Sequence, residues 1–173
     1  MLLTIPYTEL QTQSIRLYPK TVDRRSRELY PLGYDTEAVQ LSDISLMTPP
    51  LTFISYDVTT GRLIFECTKQ IHKGFIGKLL AIQKYIKTHC MPELSREKVE
   101  DMLQVLYHGK FLTLYTFPST VVHTEKGVHS VTDLRSGCSV RIALRLYGII
   151  HLDYKGSPQL RVQHSVPSMW ICE

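Results

Sequence analysis

Four signatures are missing from these 173 residues: a glycine-rich phosphate loop after a strand, a Gly-x-Ser-x-Gly elbow, a His-Glu-x-x-His pair and a Cys-x-x-Cys pair. Their absence removes the local evidence for nucleotide hydrolysis, serine-esterase chemistry, zinc-dependent hydrolysis and structural zinc. Cys67, Cys90, Cys138 and Cys172 lie far apart. In a reducing compartment they read as buried or idle thiols, although counting alone leaves two disulfides open. Neither His89-Cys90 nor the Cys67/His72 spacing matches a zinc site. Asp57, Glu66, Glu100 and Asp101 are dispersed, so no general acid can be paired with a general base. The expectation is a non-enzyme with no catalytic residue, no metal and no cofactor. Long apolar runs are lacking too, since nothing approaches the ~20 residues that a helix needs to cross a bilayer. The start, Met1-Leu2-Leu3-Thr4-Ile5-Pro6, has no basic stretch ahead of an apolar one. These two absences predict no membrane association and an intracellular chain.

What is present suits one domain with a hydrophobic core: 43% hydrophobic residues, 21% charged, and a formal charge of +4. That charge permits an acidic partner without demanding one. The first forty residues are polar and mixed, with Pro19 and Pro31 arguing against a helix. They predict an extended segment packed on the rest, with short strands at Ser14 to Tyr18 and Glu28 to Leu32. Leu51 to Val58 and Arg62 to Cys67 read as a hairpin turning at Thr59-Thr60-Gly61. Phe75, Leu79, Ile82 and Ile86 then recur at helical spacing, and Pro92 ends that helix. A second helix opens at the N-cap Ser95. Its buried side is Val99, Met102, Leu103 and Leu106, and Gly109 is its C′ residue. From Phe111 onward the pattern returns to strands, with a turn at Glu125-Lys126-Gly127. The expected class is α+β: an antiparallel barrel or curved sheet with a helical insertion over about residues 72–108.

The most informative stretch is Val140 to Gln163. Side chains on a strand alternate between faces, so Val140, Ile142, Leu144 and Leu146 share one side, which Leu160 and Val162 can join. Arg141, Ala143, Arg145 and Tyr147 take the other, with Arg161 and Gln163 beside them. Gly148 marks a bulge. Guanidinium groups interleaved with an aromatic ring suit a single nucleic-acid strand, the cations meeting phosphates and the ring stacking on a base. Lys110, Phe111 and Tyr115 on the preceding strand are candidates for the same surface. An ordinary half-buried hairpin with a basic outer face gives the same pattern.

Three phrases carry a resemblance: Leu46-Met47-Thr48-Pro49-Pro50-Leu51 leading into a hairpin; the helix that follows that hairpin; and Asp133 to Val140 continuing through Gly148-Ile149-Ile150 to Leu160-x-Val162-Gln163. In this order, over about residues 40 to 170, the chain resembles the single-stranded DNA-binding proteins of large DNA viruses, themselves distantly like the T7-type phage proteins. The resemblance implies one OB-like domain that coats unpaired DNA in viral replication, recombination or repair, in the host cytoplasm or nucleus. Replication proteins would be its partners, and RNA binding and self-association are left open. The phage proteins end in a strongly acidic tail, whereas this sequence ends Met169-Trp170-Ile171-Cys172-Glu173. The alternative is a viral structural, assembly or adaptor protein that binds other proteins through a β surface.

Overall fold

Alternation of apolar residues from Val140 builds the longest ribbon of the molecule, and the other strands are laid against it. The computed structural model describes residues 3–172. In chain order the main strands are β1 (Glu28–Asp35), β2 (Ile44–Met47), β3 (Leu51–Asp57), β4 (Arg62–Glu66), β5 (Phe111–Tyr115), β6 (Val121–Thr124), β7 (Gly127–Ser130), β8 (Ser139–Tyr154) and β9 (Ser157–Cys172). Helices α1 (Lys73–His89) and α2 (Arg96–Met102) lie between β4 and β5. The class is α+β with one mixed sheet. No helix among the described residues is long and apolar enough to cross a membrane.

Strands β8 and β9 pair antiparallel around Lys155-Gly156, whose φ angles of 51° and 82° are those of a tight hairpin turn. The other edge of β8 is shared in turn by β3 at Ser139–Val140, β2 at Ala143–Leu146 and β1 at Gly148–His151. Beyond β3 lie β4 and then β5, each antiparallel to its neighbour. On the far side, β6 runs parallel to the end of β9, and β7 closes the edge. Strand β5 also approaches β9, where the Tyr115 N–H donates to His164 Nε2 at 2.9 Å. Strands β3, β4, β5, β9 and β8 therefore form a circuit, open along most of the β5–β9 seam.

The predicted apolar sides are the interior. Val140, Ile142, Leu144, Leu146 and Leu160 are buried together with Leu63, Phe65, Leu112 and Leu114. Phe53 meets Phe65 edge-on at 6.2 Å. The helix stripe Phe75, Leu79, Ile82 and Ile86 joins this core. The N-terminal segment packs on α1: Leu10 and Ile15 are buried, Tyr7 meets Phe75 at 6.0 Å, and Lys78 Nζ donates to the Leu10 carbonyl.

Several boundaries differ from expectation. Helix α1 stops at His89, before Pro92, because Cys90 is extended and Met91 turns left-handed at φ 50°. Ser95 does cap α2, accepting from the Lys98 N–H. That helix ends at Met102, because Leu103 and Gln104 pair parallel to Leu160 and Arg161. Leu103 is thus buried from extended chain and Leu106 from the bend that follows it. Gly109 is no helix C′ residue but the turn, at φ 64°, between Tyr107–His108 and β5. Strand β9 runs past His164 to Cys172. Pro167, which has no N–H, falls within the register shift between Ser165 and Ser168, where no ladder bond is asked of it. Gly148 sits at the expected shift, and a Cβ there would lie 2.5 Å from the Leu29 side chain.

Candidate nucleic-acid interface

Two register shifts interrupt the β8–β9 pairing, one with its extra residue in β9 between Ser165 and Ser168 and one with its extra residue in β8 between Leu146 and Gly148. Arg141 is exposed and pairs across the ladder with Trp170. Ala143, expected beside it on an open surface, is buried within a row flanked by Met47 and Ser168. Arg145 faces outward, with its guanidinium 5.3 Å from the Tyr147 ring centre. Its Nε donates to Asp43 Oδ2 at 2.7 Å, and the other carboxylate oxygen accepts from the buried Ser45 hydroxyl. The Arg145 side chain keeps 40% of its exposure, so it is positioned and part-neutralised rather than free. Tyr147 is half-buried and lies outside the core.

The shift at Tyr147 brings Gln163 opposite Gly148 and Arg161 opposite Ile150. The Arg161 guanidinium lies 5.3 Å from the Tyr154 ring, which also carries Lys155 Nζ at 5.3 Å. Its Nε and Nη2 both donate to Gln159 Oε1. Among the described residues, no carboxylate pairs with Arg141, Arg161 or Lys110.

On β5 the aromatic side faces solvent. Phe111 and Tyr115 are 37% and 51% exposed, whereas Leu112 and Leu114 are buried. Lys110 Nζ stands 5.2 Å over the Phe111 ring. Four residues of strand put Phe111 about 13 Å from Tyr115.

The β5–β9 seam opens into a groove of about 630 Å³ lined by the polar and aromatic residues Arg27, Gln104, Thr113, Tyr115, Arg161 and Gln163, together with Val105, Leu106, Val162 and His164. The structure thereby brings Tyr115, Arg161 and Gln163 together. It leaves Arg145–Tyr147, Arg141 and Lys110–Phe111 as separate patches. Among the described residues no carboxylate lines the groove, and Asp23 pairs with the lining Arg27 at 2.8 Å. An aromatic ring half in solvent beside amide groups and the Arg161 guanidinium, which no carboxylate among the described residues neutralises, can stack a planar base, neutralise a phosphate and bond to polar edges.

Arg27, Gln104 and His164 are among the groove residues that escaped the sequence reading. Arg27 and Gln104 reach it only through long-range pairing and carry no local signal. His164 does carry one, because it shares the apolar parity of Leu160 and Val162. Its Nε2 accepts from Tyr115 and its Nδ1 bonds to the Val162 carbonyl at 3.0 Å. That geometry requires a neutral ring protonated on Nδ1. Burial pushes the imidazole below its ordinary value of 6.5, against the opposing pull of the Val162 carbonyl. His72 is similar. It is buried, accepts from the Lys69 N–H and bonds to the Pro50 carbonyl, and burial again lowers its pKa. A depressed imidazole favours the neutral folded form, so the unfolded chain binds more protons below pH 6.5. The stabilisation is complete above that pH and is lost as pH falls through the folded values. Thermal melts should show a midpoint falling between pH 7 and pH 5, above the range of ordinary carboxylates. The fall should shrink in His164→Gln, and an equal fall there would remove His164 from the linkage.

All four thiols are free, and burial pushes those of Cys67 and Cys90 up to about 12. Among the described residues no cluster of His, Cys, Asp and Glu could hold a metal ion. No family model, curated protein or solved structure matches this chain.

Proposed function

We propose that this chain is a non-enzymatic single-stranded DNA-binding protein with an OB-like barrel. Following the resemblance described above, its role is to coat unpaired strands in viral replication, recombination or repair. The observation that carries the reading is the groove. Tyr115, Arg161 and Gln163 converge in it from two strands, and among the described residues its lining holds cations, amides and a ring but no carboxylate. The strand order supports the barrel: β3, β4, β5, β9 and β8 follow one another in a partly open circuit, as an OB-type Greek key requires. Helix α1, directly after the β3–β4 hairpin, stands where the resembling proteins carry one.

The test is fluorescence anisotropy with labelled oligo-dT, competed by duplex and by RNA, across a salt series. If about four cations meet phosphates, log affinity falls against log salt with a slope near −3. Arg141→Ala flattens that slope by about 0.7. Arg145→Ala flattens it less, because Asp43 already offsets part of its charge. Equal affinity for duplex and single strand at every salt would sink the reading.

A protein-binding surface is favoured by one observation: Phe117 is 77% exposed, near Val121 at 37% and Val128 at 63%. Native mass measurement separates the two readings. An oligomer that ignores oligonucleotide supports assembly instead.

A further inference from the structure

A second aromatic feature lies at the other end of β9, outside the groove. Arg141, Trp170, His123 and Val128 are register partners on four successive strands, β8, β9, β6 and β7. Their neighbours along the chain fix the side they face: Val140, Ile142, Val122 and Met169 are all buried. The row therefore points outward. Arg141 and Val128 are exposed, while Trp170 and His123 are half-buried. One face of the indole is stacked on the His123 ring, at 5.6 Å between centres and 21° between planes. No cation lies over the indole among the described residues, although Arg145, Arg161 and Lys110 each cover a ring elsewhere. Arg141 is thus beside Trp170 in the ladder without occupying its second face.

We infer that Trp170 is a base-stacking position, with Arg141 binding the adjoining phosphate and His123 bracing the indole from behind. The ligand is a nucleotide of the same single strand, so the inference rests on the single-strand reading above. Gln163 in the groove and Trp170 lie on the same outward side of β9. Seven residues of strand separate them by about 23 Å. That span suits the 4–16 nucleotides that one such domain covers. Charge complementarity selects the occupant. A guanidinium with no carboxylate partner among the described residues, beside a half-buried indole, matches a base and its phosphate, whereas a second copy of this net-positive chain would bring a like charge to Arg141.

Trp170 is the only tryptophan in the sequence, so its emission reports this position alone. Oligo-dT is titrated into the protein while emission and the anisotropy of a labelled oligonucleotide are followed in the same samples. Binding is expected to quench emission by roughly half or more, with a midpoint matching the anisotropy. Trp170→Ala is expected to weaken binding about 5- to 100-fold, Trp170→Phe less, since phenylalanine keeps a stacking ring. His123→Ala, which removes the bracing ring and leaves the core intact, should weaken it by a few-fold. Normal anisotropy binding with unchanged emission, and full affinity in Trp170→Ala, overturns the stacking position and leaves the groove reading standing. No anisotropy change at low salt defeats both. Emission that shifts on dilution without DNA means that self-association buries Trp170, and this also overturns the inference.

Discussion

Alanine at both Tyr115 and Arg161 weakens oligo-dT binding by roughly 70-fold or more. Losing one base–ring stack costs about 1–3 kcal/mol, and losing one hydrogen bond to a charged group costs about 1.5–3 kcal/mol. The lower ends of those ranges sum to about 2.5 kcal/mol, which gives the stated factor. The fold should tolerate the change. Tyr115 is 51% exposed, and its link to His164 runs through the backbone N–H, which alanine retains. Among the described residues the Arg161 side chain bonds only to Gln159, and it lies over the exposed ring of Tyr154. The measurement is anisotropy at fixed salt, beside a thermal melt that shows the variant folded. A loss below about threefold would remove the groove from the interface. The pair Lys110→Ala and Phe111→Ala then tests whether the strand extends along β5. A smaller loss is expected there, since these residues lie about 13 Å from Tyr115.

The terminal ribbon was legible because one of its sides is buried. Val140, Ile142, Leu144 and Leu146 announce a strand, and a slip of one residue would expose all of them. The α1 stripe was legible for the same reason, at helical period. Strand β1 was harder to read. Its sequence, Glu-Leu-Tyr-Pro-Leu-Gly-Tyr-Asp, carries a proline and a glycine and lacks clean alternation. It is a strand because β8 offers it an edge: His151 and Glu28, 123 positions apart, end up 2.8 Å from one another. Gly109 misled in the opposite direction. A helix C′ glycine and a turn glycine both take positive φ, but Gly109 serves a turn into β5, because Leu103 and Gln104 found strand partners and ended α2 early.

The interface was legible as residue types and not as a shape. Alternation put Arg141, Arg145 and Tyr147 outward, but it could not reveal that Asp43, 102 positions from Arg145, would bond to that guanidinium. Nor could it join Tyr115 to the side of β9, because that seam depends on a bond between residues 49 positions apart. The bulge at Gly148 was signalled by the glycine itself. Its consequence was not: moving Arg161 and Gln163 one step along the ribbon takes them away from Tyr147 and into the groove with Tyr115.

Phe65→Ala should be the most damaging single truncation, costing about 3–5 kcal/mol. Phe65 is fully buried at the middle of the circuit, edge-on to Phe53 at 6.2 Å and opposite Leu112 on β5. Few neighbours can move into the space, because ladder pairing to Phe53 on one side and Leu112 on the other fixes the backbone. Domains of this kind have about 5–15 kcal/mol in total, so the loss takes a large share of it. Urea unfolding should show a lower midpoint with an unchanged slope, the sign of lost stability without a change in the surface exposed. Ile64→Ala, one residue away on the outer face, should cost less than half as much, since Ile64 is only half-buried. The pair also separates fold from contact. Where Phe65→Ala is part unfolded, its DNA binding should fall with the folded fraction while the salt slope stays near −3, because no phosphate-binding cation has been removed. A changed slope in that variant would place Phe65 under the interface itself, and the seam between β5 and β9 would then depend on its packing as well as on His164.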